Sequence, residues 1–371
     1  MRQAPRILIA GGGPTGLTAA IELTRRGFAP RIIDNDAGPT PESRALAIHA
    51  RSLDILEPAG ITERLLALGN RINGMIIRAG GREIVSLDFS HLPHRFNFIL
   101  ALAQAETETA MIDALVDAGH DIGWRTGLKH FTAAGGEVVC TTDNDGTLIT
   151  ETADILIGAD GARSQVRKDL GLSFDGESDP HEFGLVDVEL DAWTYPFDRA
   201  VANIDDGNIT GCFPLHEGHC RFVANHPDVL NRLPAGAKVK KVIWQSTFRI
   251  SYRQVYSYQK GPVFLAGDAA HIHSPVGGRG MNLGIEDAAT LAWLISTGET
   301  DRYTALRHPI GKKVLAFTEA QTRQITSTNP VMKLLQNHIA PVFLKLPVMQ
   351  RIALTRLTGL DTPAPAWLGT R

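Results

Sequence analysis

Apolar positions along this chain alternate between two periods. Ile7 to Ala10 is an unbroken apolar run that ends in Gly11-Gly12-Gly13-Pro14, the pattern of a strand buried on both faces. Leu17, Ala20, Ile21 and Thr24 then recur at helical spacing until Gly27 supplies a stop, and Arg31 to Asp34 reads as the next strand. Helices are expected over Ala50 to Glu57, before Pro58 and Gly60, and over Ala101 to Ala118, before Gly119. Between Lys129 and Ile157 three β-prone runs, 137–142, 147–150 and 153–157, are separated by Gly135-Gly136 and Asn144-Asp145-Gly146. They predict a meander that ends in a strand at Ile157.

From about Phe183 to Tyr258 the chain turns to short strand-like pieces rich in Val, Phe and aromatic residues, which predicts a separate antiparallel sheet. Helical spacing returns over Leu283 to Ile295 and Ile310 to Gln324, and the tail from Pro330 is apolar, basic and broken by Pro341 and Pro347. Strand alternates with helix at the front of the chain, so the expected class is α/β with a Rossmann-like domain, an inserted antiparallel sheet and a helical tail. No repeat interrupts this order. The apolar run at the N-terminus is too short for a signal peptide, and no run approaches the roughly 20 residues that span a bilayer.

Composition narrows the partners more than the fold. Lys plus Arg number 37 against 40 Asp plus Glu, a formal net charge of -3, so there is no global field to gather a polyanion and nucleic acid is not expected. Cys140, Cys212 and Cys220 are odd in number and form no CxxC pair, which argues against a disulfide framework or a zinc site and for a reducing, cytoplasmic setting. The length of 371 residues fits two or three domains, or one nucleotide-binding domain with insertions.

Chemistry enters with Gly11, Gly13 and Gly16, a G-x-G-x-x-G array between a strand and a helix, and with Asp34 at the end of the next strand. Glycines let the backbone approach a pyrophosphate, the helix N-terminus offers N-H groups and a positive dipole end, and the acid can bond a ribose diol. This array, with Pro14 and Thr15 inside it, predicts a dinucleotide site but leaves NAD and FAD equally open. Gly267-Asp268-Ala269-Ala270-His271, which follows the apolar strand Val263 to Ala266, is a second candidate turn. The histidines His271 and His273 have no acidic partner at ligand spacing and read as loop structure.

At these motifs the chain resembles the class A FAD-dependent aromatic monooxygenases of the para-hydroxybenzoate hydroxylase type. The matching text is the glycine array, DILIGADGARSQVR from Asp154 and GPVFLAGDAAHIHSPVGGRGMNLGIEDAATLAWLI from Gly261. The resemblance implies that Asp268 bonds the FAD ribityl chain as a buried acid, and that Pro275 and Gly277 to Asn282, including Gly278, Gly280 and Met281, line the isoalloxazine. It implies cofactor contacts for Arg44, Gln104 and Gly267, and an FAD or NAD(P)H role for Asp160 and Gly161, for which a purely structural turn weighs equally. Arg279 stands where the family often carries glutamine; it either lies beside the flavin, tuning it or binding an acidic substrate group, or points to solvent.

The same resemblance divides the chain into an FAD-binding domain (1–75, 99–180 and 261–328), a substrate domain (76–98 and 181–260) and a C-terminal helical segment (329–371). It implies hydroxylation of an aromatic or phenolic small molecule with NADH or NADPH and O2, through a flavin C4a-hydroperoxide, by a monomer or homodimer. Pro275, Arg279 and Gly280 are then the candidates nearest the reaction, and Phe213, His216, Arg221 and Asn225 the candidates for substrate contact. Two alternatives are an FAD-dependent reductase or oxidase of an isoprenoid-like substrate and a flavin-binding protein without turnover.

Overall fold

The computed structural model describes residues 4–40, 45–205, 207–327 and 329–368. Ile7–Ala10 is buried along its length and pairs in parallel with Arg31–Ile33 and Ile155–Gly158. It sits inside a six-stranded sheet of order Gln259–Lys260, Val263–Leu265, Ile155–Gly158, Ile7–Ala10, Arg31–Ile33, Ile122–Gly123. Only the edge pair of Gln259–Lys260 with Val263–Leu265 is antiparallel. The helices among the described residues are α1 (Pro14–Arg25), α2 (Ala50–Leu56), α3 (Ile61–Leu68), α4 (Gln104–Asp117), α5 (Gln165–Asp169), α6 (Arg279–Thr297), α7 (Tyr303–Ile325), α8 (Pro330–Leu334), α9 (Ala340–Leu344) and α10 (Pro347–Thr358). Helix α1 packs against both α4 and α6, with Leu17, Ala20, Leu23, Ile285 and Ala289 in one continuous core.

The expected boundaries moved where tertiary pairing overrode local pattern. Ala101, read as the first residue of a helix, ends the strand Ile99–Ala101 between Ala47–Ile48 and Asn70–Ile72, and α4 starts only at Gln104. The run 153–157 divides: Ala153 ends a strand of the meander, and Ile155 begins the neighbour of the central strand. Helix α7 begins at Tyr303, not after Pro309, because the buried Tyr303 and Ile310 anchor the helix on both sides of the proline. In the tail, Pro330 and Pro347 stand in the first turns of α8 and α10, where the missing N-H costs nothing, and Pro341 follows a π-helical stretch, Leu335–Ile339, that joins α8 to α9. The prolines at 330 and 347 start helices instead of breaking one.

The inserted sheet has eight strands, in the order His271–Ile272, Lys238–Gln254, Asp175–Ala192, His219–Ala224, Asn208–His216, Arg199–Asp205, Gly74–Ala79, Arg82–Asp88. It is antiparallel except where Arg199–Asp205 meets Gly74–Ala79 in parallel. These two strands come from distant parts of the chain, so no hairpin turn dictates their direction. Phe213, Arg221, Asp187 and Trp244 are successive register partners across this sheet. Arg221, 2% exposed in its side chain, forks onto Asp187 at 2.6 and 2.7 Å and donates to the Ala45 carbonyl at 3.2 Å. One buried cation therefore ties the sheet to the segment leading into Ala47–Ile48.

Removing one partner of such a pair strands the other charge. Arg221→Met is expected to lower unfolding free energy by about 3 kcal/mol, and adding Asp187→Leu to recover much of it; urea denaturation of both variants measures this. A single variant as stable as the parent would show that the pair does not hold the sheet.

Candidate functional site

The first turn is built from absences of side chain. Gly11 adopts φ +112°, and a Cβ there would lie 2.2 Å from the Ala159 carbonyl oxygen; one on Gly16 would lie 1.9 Å from the Gly11 carbonyl oxygen. Gly13 caps α1 without any side-chain bond, Pro14 occupies the first turn, and that turn holds no acid. A Cβ on Gly13 would meet nothing within 4 Å, so the positive end of α1 faces open space, the setting of an anion site. Asp34 receives the Gly12 N-H at 2.5 Å on one oxygen and the Asp36 N-H at 2.8 Å on the other.

A second turn, Gly267–Ala269, meets the first one. Gly267 has φ +60°, and a Cβ on it would stand 2.5 Å from Thr15 Oγ1, while one on Gly284 of α6 would stand 2.3 Å from the same atom. Thr15 thus fills a niche cleared by two glycines, and the start of α1, the second turn and α6 converge there. Asp268, in this second turn, is exposed.

The Asp-Gly turn is scaffold for the second one. Asp160 is half-buried, and desolvation of its carboxyl pushes it above the usual range against the hydrogen bonds it accepts; these come from the N-H groups of Gln165 and Val166 at 2.7 and 3.1 Å. Gly161 takes φ +73°. Arg167, in the same motif, donates to the carbonyls of Ala269 at 2.9 Å and Ala162 at 2.8 Å, with its guanidinium 3.8 Å from the Phe174 ring centre.

His271 finds an acid that lies outside any ligand spacing. His271 Nε2 lies 2.6 Å from Asp287 Oδ2, Arg307 Nε donates to Asp287 Oδ1 at 2.6 Å, and the Gly267 N-H reaches Asp287 at 3.2 Å. Arg307 also pairs with Glu286 at 3.3 Å, Glu286 with Arg51 at 3.4 Å, and Arg51 donates to Thr362 Oγ1 at 2.7 Å. Burial pushes Asp287 toward its neutral form, but Arg307 and His271 outweigh it and hold the carboxyl below the usual range. The only signal in the sequence was two adjacent acids on a helix whose other faces are apolar.

Pro275 to Asn282 forms the turn before α6 and its first residues. Asn282 accepts from the His49 N-H at 2.8 Å and Ser52 Oγ at 2.7 Å, and donates to the carbonyls of Ala47 and Gly278 at 2.8 and 2.7 Å. That side chain staples the turn to 47–49. Gly278 approaches Ala47 so closely that a Cβ would fall 2.6 Å from the alanine methyl, whereas one on Gly280 would meet nothing. Pro275 is exposed and Met281 partly buried. Arg279 is 4% exposed and donates to the Arg356 carbonyl at 3.0 Å; it does not point to solvent.

The remaining candidates separate. Gln104 donates to Glu108 at 2.7 Å, and burial pushes the Glu108 carboxyl up despite that bond; this buried acid, one turn along α4, went unnoticed in the sequence. Phe213 packs with Leu46, Met75 and Leu354 and shares its sheet face with Arg221. His216 is exposed and its ring lies tilted beside His219, 4.1 Å between ring centres. Asn225, at the far end of that hairpin, is spent on Ile209 N-H and the Gly207 carbonyl. Arg44 lies outside the described residues.

A family model described as FAD binding domain matches residues 5–222 and 226–318. Among curated proteins the chain is 34% identical over 364 residues to 6-methylpretetramide 4-monooxygenase of Streptomyces rimosus, covering 91% of this chain and 64% of that protein. It is 33% identical to pentachlorophenol 4-monooxygenase of Sphingobium chlorophenolicum, covering 85% and 64%. The chain thus spans less than two thirds of these two relatives. Among solved structures, p-nitrophenol 4-monooxygenase from Pseudomonas putida shares the fold at TM-score 0.87 and 23% identity, over 96% of this chain and 99% of that one. Anhydrotetracycline hydroxylase from Streptomyces rimosus superposes at TM-score 0.80 and 27% identity, over 97% and 77%.

Two outcomes follow from the site's geometry. Gly284→Ala should weaken FAD uptake by roughly tenfold, about 1.4 kcal/mol, by driving Thr15 from its niche, and Thr15→Ala in the same chain should restore it; quenching of flavin fluorescence on titration reads both. Equal uptake by all three proteins would remove the niche from the account. His49 is 1% exposed, and burial, then Arg279, lowers its pKa from 6.5 to about 3. Below pH 6.5 the unfolded chain binds a proton there that the folded chain refuses, so stability falls as pH drops toward 3. His49→Gln should flatten the fall in Tm between pH 7 and 5, and a slope equal to the parent's would contradict this.

Proposed function

This chain belongs to the FAD-binding domain family, and from that premise we propose that it is a flavin-dependent monooxygenase, hydroxylating an aromatic or phenolic small molecule with NADH or NADPH and O2. The observation that carries the reading is the Thr15 niche. It supports one ligand spanning both turns, with its nucleotide end at Gly11 to Gly16 and Asp34 and its ring end beside Pro275 to Asn282.

The residues present fit FAD. Open space over the uncapped start of α1 suits a pyrophosphate, since backbone N-H groups and the helix dipole both favour anionic oxygen there. Asp34 retains lone pairs for a ribose diol, Asp268 is exposed for a polyol, and Gln104 lies beside Ala45 at the entrance to Ala47–Ile48. Arg44 joins this set on its sequence position alone. When bound, FAD supplies the redox and oxygen-transfer chemistry, which is why no acid-base pair of the protein is required.

The protein's share is positioning and dryness. Gly280 leaves room at the start of α6 while Gly278 seats the turn against Ala47, and the dipole of this 19-residue helix favours negative charge at its first turn. The substrate is assigned to the space between this turn and the sheet face bearing Phe213 and Arg221. That face is apolar around Leu46, Met75, Leu87 and Leu354, which suits a ring and excludes water. Arg221 is already neutralised by Asp187 and serves to hold the wall. His216 and Asn225, at opposite ends of one hairpin, are kept only as rim positions.

Among the described residues no helix is long and apolar enough to cross a membrane. Three buried free cysteines support a reducing cytoplasmic setting, the net charge speaks against nucleic acid, and a monomer or homodimer is expected. Purified protein reconstituted with FAD should oxidise NADH or NADPH faster when a phenol from a panel is present, consume O2, and yield a product heavier by one oxygen atom. Substrate reduction without O2 would replace this reading with the reductase, and FAD retention without turnover on any compound would replace it with the carrier.

A further inference from the structure

Helix α10 bridges the two halves of the assigned site. Near its start, Gln350 accepts the Asp88 N-H at 2.9 Å and donates to the Ser86 carbonyl at 3.3 Å, fastening it to the sheet strand Arg82–Asp88. Its inner face presents Leu354, 0% exposed, and Leu357 to the cluster of Leu46, Ala47, Met75 and Phe213. At its end the orphan carbonyl of Arg356 receives Arg279 Nη1 at 3.0 Å, and Gly359 ends the helix at φ +81°. A Cβ on Gly359 would sit 2.5 Å from Arg279 Nη2, and one on Gly277 would sit 3.1 Å from Leu357.

A buried cation at a helix C-terminus meets both an unpaired carbonyl and the negative end of the dipole. Arg279 is the first residue of α6 and its side chain ends on α10, so it couples the turn assigned to the flavin with the tail. His49 completes the junction, its ring 3.7 Å from where a Gly278 Cβ would stand and within reach of the Gly277 and Thr358 backbone.

We propose that Arg279 is a positioning residue that acts through α10: by clamping the end of this helix to the turn before α6, it holds Leu357, backed by the buried Leu354, as the closing wall of the substrate compartment. The occupant of such a compartment is a flat, uncharged apolar ring, gripped by aliphatic side chains on the tail side and by Phe213 on the sheet side. This inference rests on the hydroxylase reading for the occupant, and on geometry alone for the clamp.

The test compares FAD-loaded parent, Arg279→Gln, Arg279→Lys and Gly359→Ala by hydrogen exchange over residues 347–360 and by KM and kcat for the best phenol of the panel. Arg279→Gln and Gly359→Ala should speed exchange in α10 and raise KM roughly tenfold, the worth of one hydrogen bond from a charged donor, with kcat and FAD content kept. Lysine at 279 should restore part of both. Unchanged exchange in α10 in the folded variants would overturn the clamp even in an active hydroxylase. So would a fall in kcat at constant KM, which would make Arg279 a participant in the reaction. Faster exchange in a protein that turns over no substrate would instead support the clamp and remove the hydroxylase reading.

Discussion

The arrangement depends on one contact that exists because two side chains are missing. Thr15 Oγ1 occupies the volume that a Cβ on Gly267 or on Gly284 would claim. That closeness brings a turn near the start of the chain, a turn some 250 residues later and the flank of α6 to a single point. Close packing tolerates no partial solution there, since a methyl group has nowhere to go without moving backbone. The parallel sheet supplies the rest of the constraint: Ile7–Ala10, Ile155–Gly158 and Val263–Leu265 are consecutive neighbours, so the three turns that leave their ends emerge side by side.

Around that point the chain spends its buried charge on backbone placement. Asp160 holds the start of α5, Arg167 reaches the Ala269 carbonyl, and Asp287 receives the Gly267 N-H while paired with His271 and Arg307. From Asp287 the ion pairs continue through Arg307, Glu286 and Arg51 to Thr362, which links the second turn to the tail. Buried pairs of this kind add little net stability compared with apolar packing, but they fix geometry because any other arrangement leaves a charge unpaired.

The periodicity of the chain disclosed the parallel core, the glycine array and the inserted sheet, because buried strands and uncapped turns leave a local signature in residue type. It did not disclose partners that meet only in three dimensions. His271 and Asp287 are 16 residues apart and Arg307 lies 20 beyond Asp287, so spacing rules for ligands or helical pairs do not connect them. Arg279 follows the same rule: its motif places the backbone beside the glycines, while its side chain reaches a tail helix 77 residues away. Ile99–Ala101 shows that a short apolar run fits a strand or a helix equally well until its neighbours are known.

If one ligand spans both turns, affinity must come from both ends of it. Calorimetric titration of the apoprotein with FAD and, separately, with FMN, which lacks the adenosine half, measures this directly. The account predicts saturation at a single equivalent of FAD and FMN binding weaker by at least about tenfold, or roughly 1.4 kcal/mol. Equal affinity for the two, or no uptake of FAD at all, would contradict it.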